Sequence, residues 1–418
     1  MAEAVTETTP ASLPHMRRNV FLLAVCLALS FTGSSLTMVV TALAASMLAD
    51  PTHIYRLPVF GDISEPALAT LPLSLMFVGT VSMTIPASMF MRRFGRRSGF
   101  SFGQMIGITA ALISAYAIYV HEFWLLVLGG FILGMHNGVW QYIRFAAAEV
   151  ADDAFRSKAI SLVMASGVFA AIAGPEIAKF TREGMGPYLF AGSYLSIVAL
   201  CLLSICVLQF VRIPPLTATQ RKQTGRPMRE IARQPAFIVA VLSAMLGYST
   251  MSLVMTATPL AMAFCGFGFG DTASVIQWHV LAMFAPSFVT GHIIRKIGVL
   301  AVIKIGTLLG FACIAVTLSG IDLANFGVGL VLLGLCWNFM FVGGTTLLTE
   351  TYRPEERNRV QGINDFLVFG MVSIASLSAG LLQALVGWDA VNMVVVAPIG
   401  IVLAAALWLR FSGNRRAV

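Results

Sequence analysis

Charge is scarce in this chain. Asp, Glu, Lys and Arg make up 11% of its 418 residues, against 58% hydrophobic residues, and so little polar surface cannot cover a soluble globule of this size. Cysteines number six, Cys26, Cys201, Cys206, Cys265, Cys313 and Cys336. All fall in or beside apolar runs, with no C-x-x-C pair and no histidine at metal-ligand spacing, so they read as small packing residues. No G-x-x-x-x-G-K-[ST] loop is present to bind ATP, and no H-E-x-x-H or other cluster of His and carboxylate lies within one apolar run. No cofactor, metal or catalytic group is therefore expected, and any uphill work must draw on an ion gradient or the solute's own.

What fills the chain instead is long apolar runs. A hydrocarbon core about 30 Å thick takes roughly 20 residues of helix, and backbone inside it must satisfy its own hydrogen bonds. The pattern predicts an all-α integral membrane protein of about twelve spans, at 20–48, 66–90, 98–120, 123–147, 158–179, 187–211, 236–262, 272–294, 299–319, 324–348, 362–386 and 391–411. Internal prolines such as Pro72, Pro86, Pro175, Pro259, Pro286 and Pro398 are expected to kink these helices rather than end them. The polar, acidic first residues lack the basic start and short apolar core of a cleavable secretion signal, and read as a disordered tail.

The net charge of +8 is concentrated in alternate gaps. One set holds Arg17 and Arg18, then Arg92, Arg93, Arg96 and Arg97, then Arg156 and Lys158, and continues through Arg212–Arg233, Arg295 and Lys296, Arg353, Arg357 and Arg359, to Arg415 and Arg416. The opposite set holds Arg56, Lys179 and Arg182 among eight acidic residues. Basic residues accumulate on the cytoplasmic side, which predicts both termini inside a bacterial inner membrane. Nucleic-acid binding is excluded, because no soluble basic domain exists to carry it.

The longest polar stretch between spans, 212–235, divides the chain into halves of six spans. The expected organisation is a tail at 1–19, a first half at 20–211, the linker, a second half at 236–411 and a tail at 412–418. A shift of 203 lays Gly95 on Gly298, Gly103 on Gly306, Gly107 on Gly310 and Arg93 on Lys296; a shift of 201 lays Asn137 on Asn338, Glu149 on Glu350, Arg156 on Arg357 and Lys158 on Arg359. Two related six-helix halves are expected.

These features resemble the major facilitator superfamily of transporters, over nearly the whole chain. That family's loop between spans two and three reads G-x-x-x-D-R-x-G-R-[KR]; "SMFMRRFGRR" matches at Arg93, Gly95, Arg96 and Arg97, and departs at Ser88 and Arg92. The resemblance implies two pseudo-symmetric halves rocking about a central site, with spans one, four, seven and ten lining it. The missing Asp removes the basis for the family's usual charge relay at this loop. The arginines read either as a cytoplasmic gate, built from Arg93, Gly95, Arg96, Arg97, Glu149, Arg156, Glu350 and Arg357, or as a topology signal that touches anionic lipid headgroups.

Polar and aromatic residues at midspan are the candidate substrate contacts, since polar side chains at that depth should face a water-filled cavity. They are His136, Asn137, Trp140 and Gln141 in span four, Tyr248 in span seven, and Trp337 and Asn338 in span ten. The structural alternatives are a histidine bonded between helices and tryptophans in ordinary packing. Gly130, Gly134 and Gly138 form a close-packing stripe on the same helix. Proton coupling would need a titrating group, for which His136, His279 and Asp365 are candidates; Asp365 reads equally as a structural partner of Arg357 or Arg359. The segment "GGTTLLTETYRPEERNRVQGINDFLVFG" resembles a bacterial branch that includes a riboflavin importer. That implies uptake of a vitamin-like aromatic compound such as riboflavin, handled by a monomer in contact with solute, protons and membrane lipid. The alternative is proton-coupled efflux of amphipathic drugs, for which Met-rich and Phe-rich spans offer adaptable surface.

Overall fold

A computed structural model of the chain describes residues 15–50, 52–57, 61–64, 68, 71–213 and 225–414. Most of the expected N-terminal tail, the middle of the linker with Arg221 and Lys222, and the last residues with Arg415 and Arg416 lie outside the described residues.

Backbone that crosses hydrocarbon must close its own hydrogen bonds, and the described apolar runs are all helical. Among the described residues, eleven helices are long and apolar enough to cross a membrane, and a bent pair counted as one span makes twelve. Spans one to three are Met16–Leu48, Leu71–Phe94 and Arg96–Tyr119. Spans four to six are Phe123–Glu149, Arg156–Thr181 and Ala191–Leu208. Span seven is Pro235–Phe264. Span eight is Phe269–Phe284 followed by Ser287–Ile297, bent by 40° where Pro286 withholds its N–H. Spans nine to twelve are Val299–Leu318, Leu323–Thr349, Arg357–Ala379 and Val386–Phe411. Helix continues from span eleven into span twelve as far as Val394, kinked at Gly387 with φ 81°.

Three features depart from unbroken rods. Span four breaks between Trp140 and Ile143, span five at Ser166, and the loop after span one carries a hairpin, β1 (Ile54–Leu57) antiparallel to β2 (Gly61–Ser64) with Arg56 opposite Asp62. Gly95 and Gly298, one turn in each half, both have φ near +87°, at 87° and 86°. Only glycine adopts that conformation without strain, so the same backbone device recurs at the positions that the internal repeat aligns.

The glycine stripe of span four lies against span two. A side chain built on Gly134 would meet the Met76 carbonyl at 2.0 Å, and those on Gly130 and Gly138 would meet the Pro72 and Thr80 carbonyls at 2.5 Å. Span three also packs on spans four and six, and span one on five and six; in the second half, span seven packs on ten, eleven and twelve, nine on ten, and eight on ten. The halves meet where span two lies against eleven and five against eight. Cys26, Cys201, Cys313 and Cys336 are buried packing residues, while Cys206 and Cys265 are exposed. One string, Gly99-Phe100-Ser101-Phe102-Gly103, spells the G-x-S-x-G of a hydrolase nucleophile elbow. It lies inside the helix of span three, whereas the elbow requires a strand-to-helix turn.

Candidate substrate site and gate

Beside the break in span four lies a buried charge, Arg144. With the helix interrupted at Gln141 and Tyr142, the Gln141 carbonyl is free to accept, and Arg144 Nη1 donates to it at 2.8 Å and to the Gln141 side-chain Oε1 at 3.2 Å. Arg144 Nη2 donates to Asp365 Oδ1 in span eleven, forming an ion pair between the two halves whose members are 1% and 0% exposed. Asn364 Nδ2 donates to the same oxygen at 2.9 Å. The Arg144 guanidinium also lies over the rings of Phe145 (4.4 Å) and Phe341 (4.9 Å). Asp365 is thus partnered by Arg144, not by Arg357 or Arg359. Those arginines start the same helix, about 12 and 9 Å away along its axis at 1.5 Å per residue, whereas Arg144 reaches the acid from span four.

Beside this pair, aromatic rings connect the halves. Trp140 meets Phe31 edge-on at 4.5 Å, Phe31 meets Phe284 of the other half at 5.1 Å, and Phe284 meets Trp337 at 5.4 Å. Trp337 stacks on Phe341 at 5.1 Å, and Tyr248 sets its edge or face to Trp337, Phe341 and Phe369 at 5.2–5.6 Å. Such contacts favour edge and offset geometries because ring faces are negative and edges positive. Asn137 Oδ1 accepts from Trp140 Nε1 and from Ser34 Oγ, both at 3.0 Å, which fixes that indole to spans one and four. Trp337 Nε1, Arg144 Nε, Asp365 Oδ2 and Asn364 Oδ1 are buried with no hydrogen-bond partner among the described residues.

The remaining candidates sit elsewhere. His136 donates Nδ1–H to the Gly103 carbonyl at 2.9 Å, and His279 donates Nδ1–H to the Leu330 carbonyl at 2.7 Å. A carbonyl only accepts, so Nδ1 carries the proton in each. Both histidines are buried inside their own half, His136 against span three and His279 against span ten. Asn338 repairs the bend of span eight. Its Nδ2 donates to the Met283 carbonyl at 2.6 Å and to Ser287 Oγ at 2.5 Å, and its Oδ1 accepts from Thr290 at 2.7 Å. Backbone freed at a break in a membrane helix needs such a partner.

At the arginine-rich end the two halves are tied by one network. Arg96, buried, donates Nη2 and Nε to the two Glu149 oxygens at 2.6 and 3.2 Å. It also donates to Gln361 Oε1 in span eleven, while Arg357 Nη1 meets Glu149 Oε2 at 3.2 Å. Gln361 Nε2 donates to Tyr352 Oη at 2.7 Å. Ser157 Oγ donates to the Gly291 carbonyl at 3.2 Å, closing span five on span eight. Arg93 takes no part in the network: it is exposed, with its guanidinium over Phe94 at 5.3 Å. Arg97 donates to exposed Gln209, Arg156 pairs with Asp153 at 2.5 Å, and Glu350 is exposed. On the opposite side of the protein, Lys179 pairs with Glu176 at 2.7 Å.

Phe31, Phe284, Phe341, Phe369, Gln361, Asn364 and Arg144 are not among the site residues expected from the sequence. Only Arg144 carried a usable signal, since an ionisable residue inside a span calls for a partner and Asp365 was the acid at comparable depth in the other half. The phenylalanines are four among 29.

Comparison with known proteins agrees with this architecture. The Major Facilitator Superfamily profile matches residues 20–375. The riboflavin transporter RfnT of Brucella anthropi is 38% identical over 390 residues, covering 93% of this chain and 94% of its own. An uncharacterised MFS-type transporter of Bacillus subtilis, YdeG, is 27% identical over 77% of both chains. Among solved structures, the fucose:proton symporter FucP of E. coli superposes with a TM-score of 0.72 at 16% identity, covering 94% of this chain and 98% of that one, so the likeness is one of fold. Twelve crossings in two six-helix halves, a profile match over most of the length and a relative aligned nearly end to end lead to one assignment: the chain belongs to the major facilitator superfamily of membrane transporters.

Proposed function

We propose that this protein takes up riboflavin, or a closely similar aromatic vitamin, across a bacterial inner membrane by alternating access, with both termini cytoplasmic. The observation that carries the reading is the 38% identity to the riboflavin transporter RfnT over 93% of the chain. The basic loops supply the orientation. In this reading the Arg96–Glu149–Arg357–Gln361 network is the cytoplasmic gate in its closed position, and exposed Arg93 meets lipid headgroups.

The substrate binds where the halves meet, with its ring system among Trp140, Trp337, Tyr248, Phe31 and Phe284. Asn137 and Gln141 act from one step back, the first holding the Trp140 indole and the second holding Arg144. Both walls of this site come from one chain, so a monomer suffices. When the halves rock to open the gate, Arg144 and Asp365 must part. A carboxylate left alone in so dry a place is costly, and a proton removes that cost; Asp365 is therefore the proton-coupling group. His136 and His279, each bonded inside its own half, are structural in this reading, as is Asn338.

Proteoliposomes carrying the purified chain should accumulate labelled riboflavin, faster with an inward proton gradient, and the gene should restore growth of a riboflavin auxotroph at low vitamin. Drug resistance without growth rescue would establish efflux of amphipathic compounds instead.

A further inference from the structure

Buried polar atoms nearly always find partners, yet the Arg144–Asp365 pair leaves one donor and one acceptor unused. Asp365 Oδ1 is taken by Arg144 and Asn364, and Arg144 Nη1 by Gln141, whereas Asp365 Oδ2 and Arg144 Nε are buried and unpartnered. The pair is neutral as a unit, so a charged solute would meet one repelling partner whichever sign it bore. The guanidinium is flanked by Phe145 and Phe341, and Phe341 carries Trp337 on its ring. Two unpartnered polar atoms thus lie beside a cluster of aromatic rings, the chemistry that a flat polar π-system would complement.

We infer that Arg144 and Asp365 form a polar floor that reads the lactam edge of a planar neutral heterocycle, Asp365 Oδ2 accepting the ring N–H and Arg144 Nε donating to the adjacent ring carbonyl. A lactam places an N–H and a C=O side by side on one rigid edge, which is the complement of an adjacent acceptor and donor. A hydroxyl would match one atom at a time and would gain nothing from the rings. A ring whose nitrogen is methylated keeps the carbonyl and the flat shape but leaves Oδ2 buried and unpaired, which a site of this kind penalises strongly. The inference rests on the reading that the ring-lined junction of the halves is the substrate site. It narrows that site to uracil-like, pteridine-like and isoalloxazine-like edges, of which the flavin N–H between two carbonyls is one.

The test is equilibrium binding to the full chain in detergent, followed by quenching of ligand or tryptophan fluorescence. The panel is riboflavin, 3-methylriboflavin, lumichrome, 1,3-dimethyllumichrome, lumazine, 1,3-dimethyllumazine and uridine. Methylation of the lactam nitrogen should weaken binding about 10- to 100-fold, and in Asp365→Ala the ratio between methylated and unmethylated ligand should fall toward one. Equal affinity of the methylated and parent compounds in the wild-type protein overturns the inference, as does failure of every lactam in the panel to bind. If lumichrome or lumazine binds with the methyl penalty while riboflavin does not, the edge recognition stands and riboflavin as the substrate falls. If riboflavin binds and its methyl derivative binds equally, the vitamin reading stands and the floor falls.

Discussion

Neutralising Asp365 should push the protein toward the state open at its arginine-rich end. In the present state Arg144 and Asp365 are almost wholly shielded from water. Removing one partner of a buried ion pair costs about 3–5 kcal/mol, because the other charge is stranded. Asp365→Asn keeps the shape, and Arg144 retains the Gln141 carbonyl at 2.8 Å and two ring faces at 4.4 and 4.9 Å. Contacts of that kind are worth about 0.5–2 kcal/mol each, so roughly 2–3 kcal/mol remains. In the proposed opposite state the pair would be apart and wetted, and the substitution would cost little there. The equilibrium should therefore shift by about 30- to 150-fold. The assay is thiol labelling in a background with all six native cysteines replaced by serine and a single cysteine placed at Ser157, which is buried against Gly291 of the other half. Its modification rate reports separation of the halves. Arg144→Gln alone should also raise the rate, and the double variant should fall short of the sum by about 2 kcal/mol. An unchanged rate in Asp365→Asn, or additivity within about 0.5 kcal/mol, refutes the idea that this pair holds the end shut.

Three other outcomes follow from named contacts. Arg96→Ala strands Glu149 beside Arg357 alone and should cost about 3 kcal/mol of the closed state, whereas Arg93→Ala should stay within about 0.5 kcal/mol; the same thiol-labelling rate compares them. Asn338→Ala leaves the Met283 carbonyl and the Ser287 and Thr290 hydroxyls without their amide partner. It should lower the thermal transition in detergent by an amount equivalent to about 1–3 kcal/mol, and a variant as stable as the parent would remove the repair role. Glu356, in the loop before span eleven, is held down to about 2 by hydrogen bonds from the Arg226 side chain, with backbone N–H groups of Arg353 and Arg226 adding to them against the opposing effect of burial. A carboxylate whose folded value is depressed contributes stability above its unfolded value and loses it as pH falls through the folded value. The stability gap between wild type and Glu356→Gln should therefore be full above pH about 4.5 and vanish toward pH about 2; a gap independent of pH in that interval would contradict the assignment.

The fold was legible because bilayer physics leaves few options. Apolar runs of the right length become helices, the basic gaps alternate, and Gly95 and Gly298 mark one turn made twice. The glycine stripe of span four was legible too, as a surface that brings another backbone close, and it does so against span two. The breaks were harder to see. Pro286 signals the bend of span eight, yet nothing in "GVWQYIR" announces that span four will open after Trp140.

That unmarked break explains most of what the sequence did not reveal about the site. On a continuous helix, residues 136, 140 and 144 share one face, so local geometry alone puts His136, Trp140 and Arg144 in one row. The interruption at 141–142 is slight, both residues keeping helical angles, yet the row divides across it by partner. His136 stays above it, bonded to span three, while Arg144 swings below it to Asp365 in the other half. The backbone bond that Phe145 N–H would make to the Gln141 carbonyl goes to Tyr142 instead, and the Arg144 guanidinium takes the carbonyl left free. The break and the ion pair support each other, so neither follows from local propensity. A substitution at Arg144 should accordingly disturb the helix as well as the charge, and changes in amide exchange at Tyr142 to Phe145 would register that coupling separately from any effect on transport.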